Sequence, residues 1–253
     1  MIVSIHQPNY IPWMGYFYKI WASDAFVLHD NVEFTKQSLT KRVFIRKEYN
    51  TAEKVYLSVP LKKHSDFALI RDLEICHSQN WQPKHLNKIY YVYHKAPFFK
   101  KYYPLFCDTI HSSKHLTHLA DLNKFLIFNI TDILEINTPI HLSSQLPLKG
   151  FRADEFNAEI VTHLRGDVYI SGTGAKKYQN EGTYTKQGIS LIYNDISRFM
   201  KNHPPQYPVA FDGSFSILDA LFYIGKEGIM QLFEAYRNSE MANSGAVNQS
   251  CKR

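Results

Sequence analysis

The opening thirty residues constrain this chain more than any other stretch. Met1–Ile5 reads as a short buried strand, Gly15–Trp21 as a helix with Phe17, Ile20 and Trp21 on one side, and Ala25–His29 as a second apolar strand. Strand, loop, helix and strand in so short a span form a βαβ unit. Such a unit requires a parallel pair joined by a right-handed crossover. The fold predicted is therefore α/β, a mostly parallel sheet with flanking helices. Ligands of such sheets bind beyond the carboxyl ends of the strands. His6 and Asp30 both fall there.

The remaining elements fit that plan. Val43–Ile45, Lys54–Val59 and Ile70–Ile75 read as strands. Gln82–Tyr93, Phe98–Ile110 and Leu116–Leu134 carry helical periodicity and are expected to form a helical insertion near 82–135. Pro139–Leu142 is a short strand, Ala153–Leu164 a helix, Asp167–Ile170 a strand, Tyr178 to Gly188 a loop or short helix, and Leu191–Asn194 a strand. Ser216–Tyr223 is a helix with Gly225 as its stop. Residues 1–237 make one domain, and the polar, aperiodic 238–253 is expected to be a disordered tail.

Charge is unevenly spread. Residues 31–105 hold 14 Lys or Arg against 6 Asp or Glu, while 106–253 hold 14 against 15, so one third of the chain carries the whole net charge of +6. A basic region suits anionic partners such as nucleotide phosphates, and a solvated surface explains it equally. No recognisable nucleic-acid module accompanies the charge, so nucleic acid is not an expected partner. No apolar run reaches the roughly 20 residues needed to span a bilayer. With no basic and apolar leader behind Met1, a cytoplasmic protein is expected. Three scattered cysteines, Cys76, Cys107 and Cys251, do not suggest a disulfide framework, and Cys76 and Cys107 read as buried small hydrophobes.

The loop after the first strand, His6-Gln7-Pro8-Asn9-Tyr10-Ile11-Pro12-Trp13, sets polar and aromatic groups on a backbone stiffened by two prolines. His6 is a candidate general base. Gln7 and Asn9 are candidates to orient a ligand amide or hydroxyl, and Tyr10 and Trp13 to stack on a ring. Asp30, closing the second strand, is followed by Lys36 and Arg42, a pattern that suits an anionic ligand. A second loop, Ser171-Gly172-Thr173-Gly174, follows a strand and can present backbone N–H groups and hydroxyls to an anion, with Tyr178 close behind. It is not a P-loop, since Gly-x-x-x-x-Gly-Lys-Ser/Thr is absent. His111, His115 and His118 share one face of a helix at zinc-binding spacing, but a solvated stripe explains them better, and no metal site is expected. Gly-x-Ser-x-Gly and Cys-x-x-Cys are also absent.

These residues resemble the signature of the WbqC-like proteins. The likeness runs through His6-Gln7-Pro8-Asn9-Tyr10, Pro12-Trp13, Gly15-Tyr16-Phe17 and Lys19-Ile20, then Ser23-Asp24, Phe26-Val27, Asp30, Val32, Lys36 and Arg42. It returns at Lys95-Ala96-Pro97-Phe98-Phe99, at Tyr169, Ser171, Gly172 and Gly174, and at Ser216-Ile217, Asp219 and Leu221-Phe222. The resemblance implies a role in bacterial lipopolysaccharide O-antigen or other surface-glycan biosynthesis, on a nucleotide-linked sugar, often an amino sugar. It carries over no residue-level mechanism. The order of strand, His/Pro loop, Gly, helix and strand is also similar to that of adenylate-forming and nucleotidyl-transfer enzymes. There the loop is His-x-Gly-His, whereas Tyr16 follows Gly15 here.

The function expected is acyl or aminoacyl transfer to the amine of a nucleotide-linked sugar, with ATP or acyl-CoA on the donor side. His6 would deprotonate the amine and Asp30 orient it; Arg42 and the Ser171–Gly174 loop would hold phosphate. A glycosyltransferase-like enzyme is less favoured, because no Asp-x-Asp pair is present. A non-catalytic binding or assembly protein of the same pathway remains the alternative.

Overall fold

The computed structural model describes residues 1–148, 153–202 and 213–250. In chain order the elements are β1 (Ile2–His6), α1 (Met14–Trp21), β2 (Ala25–Leu28), β3 (Arg42–Arg46), β4 (Lys54–Ser58), α2 (Trp81–Tyr93), α3 (Phe99–Ser112) and α4 (Leu119–Ile133). They continue with β5 (Ile140–Leu142), α5 (Ala153–His163), β6 (Val168–Gly172), α6 (Glu181–Lys186), β7 (Ser190–Asn194), α7 (Ile196–Asn202) and α8 (Ile217–Ser250).

Five strands form one sheet in the order β5-β2-β1-β6-β7, and every pairing in it is parallel. The α/β expectation holds. From β1 the chain moves outward to β2 and β5, then returns to lay β6 on the other side of β1 and β7 beyond it. The topology therefore reverses between β1 and β6, where loops diverge and leave a crevice. The β3–β4 pair is a separate antiparallel hairpin.

Alternation along the strands divides the core. Val3, Ile5 and Val27 point to one face and pack with Phe156, Ile160 and Val161 of α5. Phe26 and Leu28 point to the other, into a larger core with α1, the hairpin, α2–α4 and α8. On β1, Ser4 and His6 share that second side.

Three sequence expectations differ from the structure. Ile70–Ile75 is not a strand: residues Ile70–Asp72 form a 3-10 turn. Its amides bond to Val32 and Asp30 carbonyls at 2.9 and 3.0 Å, so it is pinned across the loop after β2 rather than along a partner strand. His111, His115 and His118 do not share a helix face, because α3 ends at Ser112, a 3-10 turn follows, and His118 precedes α4. No cluster of metal-binding side chains occurs among the described residues. Cys76 and Cys107 are free and half-buried rather than buried, while Cys251 lies outside the described residues.

Gly225 does interrupt α8, with φ 68° and ψ 179°, a backbone state that glycine adopts at no steric cost. The helix then resumes and runs to Ser250, through most of the segment expected to be a tail. Ile229, Phe233 and Tyr236 anchor its part after Gly225: all three are buried, and the rings of Phe233 and Tyr236 pack on Tyr18. Among the described residues no helix is long and apolar enough to cross a membrane.

Candidate functional site

A cleft of about 540 Å³ opens at the carboxyl ends of β1 and β6, the point where the sheet topology reverses. His6, Gln7 and Trp13 line one wall, and Ser171, Gly172, Thr173, Gly174, Tyr178 and Gln179 line the other. Lys19, His29, Asp154, Asn157, Asn194 and Ser197 add to its polar surface.

The wall that bears His6 is rigid for identifiable reasons. Asn123 of α4 donates from Nδ2 to the carbonyls of Pro8 and Thr40 at 2.8 and 2.7 Å. The Ser216 hydroxyl donates to the Ile11 carbonyl at 3.0 Å, and the Ile217 amide to that of Pro12 at 2.8 Å. Prolines lack an N–H, so the loop offers its carbonyls, and the rest of the fold supplies the donors. Trp13 emerges from this clamp as the residue before α1 and meets the His6 ring edge-on at 5.4 Å.

His6 is held by both its ring faces and its proton. The Tyr16 ring lies 4.8 Å away, and the Tyr16 hydroxyl donates to the Gln7 carbonyl at 3.0 Å. His6 Nδ1 sits 3.2 Å from that same carbonyl. A carbonyl only accepts, so Nδ1 carries the proton and Nε2 keeps its lone pair. Burial, reinforced by the nearby Lys19 charge, holds the imidazole well below its usual range. It is neutral at physiological pH, and Nε2 keeps a lone pair that can accept a hydrogen bond.

The opposite wall is set by a one-way relay of hydrogen bonds. Ser171 Oγ donates to Gln179 Oε1 at 2.9 Å, Gln179 Nε2 to the Tyr184 oxygen at 3.2 Å, and the Tyr184 hydroxyl to Asp154 at 2.9 Å. Asp154 also caps the Asn180 amide at 2.7 Å. A Cβ placed on Gly172 or Gly174 would meet nothing within 4 Å, so the glycines leave backbone open toward the cleft. Tyr178 stands at the rim, 76% exposed. Asn157 Oδ1 is buried without a hydrogen-bond partner, an acceptor available to a ligand donor. Asn194 ties β7 to α1 by donating to the Gly15 carbonyl at 2.8 Å.

The structure thus brings His6, Gln7, Trp13, Ser171, Gly172, Thr173, Gly174 and Tyr178 around one cleft, and sets five of the sequence candidates elsewhere. Asp30 is buried beyond β2, where its carboxylate accepts from the Ser144 amide and hydroxyl at 3.0 and 2.7 Å and lies 3.1 Å from the Ser143 hydroxyl. It fastens β2 to the segment after β5. Asn9 is buried beside the Thr40 hydroxyl at 3.4 Å, and Tyr10 is in the core with its hydroxyl 2.9 Å from His85 Nδ1. Lys36 is on the surface, paired with Asp66 at 2.8 Å. Arg42 lies on the hairpin, donating to the Gln37 carbonyl at 2.7 Å and stacked on Tyr56 at 4.4 Å. Sequence reasoning missed Lys19, His29, Asp154, Asn157, Gln179 and Asn194. His29 carried a signal as the last residue of its predicted strand, and Lys19 as part of the family-like stretch.

Fold and cleft together define an α/β protein with an open cleft at a topological switch point. The WbqC-like protein family matches over residues 7–231, and the chain belongs to that family. It is also similar to the uncharacterised protein Rv1507c of Mycobacterium tuberculosis, at 26% identity over 225 residues, covering 89% of this chain and 94% of that one. No solved structure matches it significantly.

Proposed function

We propose that this protein is a transferase of bacterial surface-glycan biosynthesis that forms an amide on the amine of a nucleotide-linked sugar. The observation that carries the reading is His6, neutral, with Nε2 free, at the carboxyl end of β1 in the switch-point cleft. Family membership supports the pathway, and the cleft supports the ligand class. Trp13 and Tyr178 offer faces for a base or sugar ring, and the Ser171–Gly174 backbone offers N–H groups to phosphate.

In this reaction the sugar amine attacks the carbonyl carbon of a thioester or an acyl-adenylate. The C–N bond forms, the bond to sulfur or phosphate oxygen breaks, and the amine's proton passes to His6 Nε2. ATP or acyl-CoA would enter as a co-substrate.

The test is a mass-spectrometric assay of nucleotide-linked amino sugars mixed with acyl-CoA, or with an amino acid and ATP. The expected result is a mass gain equal to the acyl group, lost in His6→Ala. Absence of a gain with every pair, while the sugars still bind, would replace the enzyme by a binding protein.

A further inference from the structure

Lys19 is the single Lys or Arg among the described residues that line the cleft, and its side chain is almost fully buried. It stands on α1 and reaches toward the end of β1. There its Nζ donates to the Ile5 carbonyl at 3.1 Å and lies 5.9 Å from the centre of the Phe26 ring. An ammonium has three donors, and one is used. The groups facing it are His6 and the Ile5 carbonyl on β1 and the Phe26 ring on β2. Among the described residues no carboxylate pairs with it.

Burying a cation in this way is costly, and proteins avoid it unless the charge is paired. Among the described residues Lys19 has no counter-charge, and it sits in the lining of an open cleft next to the proposed base. Arg42 and Lys36, the cations that sequence reasoning offered for phosphate, are on other surfaces. The wall opposite Lys19 ends in glycine backbone with clear space before it.

We infer that Lys19 is the binding cation of this cleft, and that it pairs with a phosphoryl oxygen of the ligand against the Ser171–Gly174 backbone. The inference rests on reading the cleft as a ligand site, but not on the acyl transfer proposed for it. It has a thermodynamic consequence. Burial pushes the ammonium down to about 7, so near pH 8 Lys19 is mostly neutral in the free protein. An anion that pairs with it restores the charge, and binding must draw a proton from solvent.

Isothermal titration calorimetry near pH 8, run in two buffers of different ionisation enthalpy, reads this directly. The probes are inorganic sulfate, which does not itself titrate there, and a panel of nucleoside diphosphates. The expected result is binding of the diphosphates with uptake of close to one proton per site. Uptake should persist in His6→Gln, which excludes His6 as its source. In Lys19→Met, affinity should fall at least tenfold and uptake should vanish. The wild-type measurement stands even where a variant folds poorly, and a melting curve on each variant identifies that case.

Unchanged affinity in a folded Lys19→Met would overturn the inference, as would uptake that persists in that variant or failure of every probe at millimolar concentration. Sulfate binding with uptake, but no diphosphate binding, would keep Lys19 as an anion site and remove the nucleotide. A positive transfer assay with none of these effects would leave the enzyme and discard the role of Lys19.

Discussion

Removal of the Asp219 carboxylate should be among the most damaging single changes in this protein. Arg46 on β3 and Asp219 on α8 are both fully buried, and they form a two-pronged pair, Nε to Oδ1 at 2.6 Å and Nη2 to Oδ2 at 3.1 Å. The guanidinium also donates to the Thr51 carbonyl at 2.7 Å and lies over the rings of Phe215 and Tyr223 at 4.6 and 5.3 Å. Asp219→Ala leaves that guanidinium buried with no counter-charge, a defect that typically costs about 3–5 kcal/mol. For a chain of this length each kcal/mol moves Tm by about 2–4 °C, so the loss should be about 6–20 °C. The double variant Arg46→Met/Asp219→Leu removes both charges and fills the space, and should recover most of the loss. Urea unfolding followed by circular dichroism gives both numbers, with the slope checked for constancy. A loss under about 1 kcal/mol for Asp219→Ala, or a double variant as poor as the two singles summed, would refute the reasoning. The consequence reaches the cleft, because Ser216 and Ile217, at the start of the same helix, hold the carbonyls of Ile11 and Pro12.

Acid should erode stability through the buried histidines. Burial lowers His29 and His85 to about 4, so both are neutral when folded and take up protons first when unfolded. Their contribution is complete above about pH 6.5 and lost as pH falls toward 4, which a series of melting curves would show. Lys19 has the same sign at higher pH: held near 7 when folded and above 10 when unfolded, it costs stability at neutral pH. Lys19→Met should therefore raise the Tm of the ligand-free protein by a few degrees, and a lowered Tm would count against an unpaired charge. Gly174→Ala meets no atom within 4 Å, so its Tm should match wild type while ligand affinity falls about tenfold.

Local patterning made much of the fold legible. The β1–α1–β2 unit was readable because Val3, Ile5, Phe26 and Leu28 alternate and because Phe17 and Ile20 share a helix face. The site was legible along its first wall and in the Ser171–Gly174 loop with Tyr178, but not in how the two walls meet. His6, Gln7 and Trp13 follow β1 directly, but a strand end does not reveal which neighbour it will have. Asp30 ends a strand just as His6 does, yet β2 lies one strand away from the point of reversal, and its loop is closed by Ser143 and Ser144. Lys19 stood within the family-like stretch but was not picked as a site residue, because a lone lysine on a short amphipathic helix reads as solvent-facing. Asp154, Gln179 and Asn194 arrive from more than a hundred residues away, and no motif announces them. The length of α8 was missed because Gly225 was read as a stop, although Ile229, Phe233 and Tyr236 beyond it keep helical spacing.

The central claim is that ligand binds at the β1/β6 switch point against His6. Nitrogen-15 NMR of ring-labelled histidines, with the His6 signal assigned from His6→Gln, tests it most directly. Saturation with a nucleotide-linked amino sugar should move the His6 Nε2 resonance and leave those of exposed histidines such as His111 and His115 in place. A saturated protein in which the His6 resonance does not move would contradict the account.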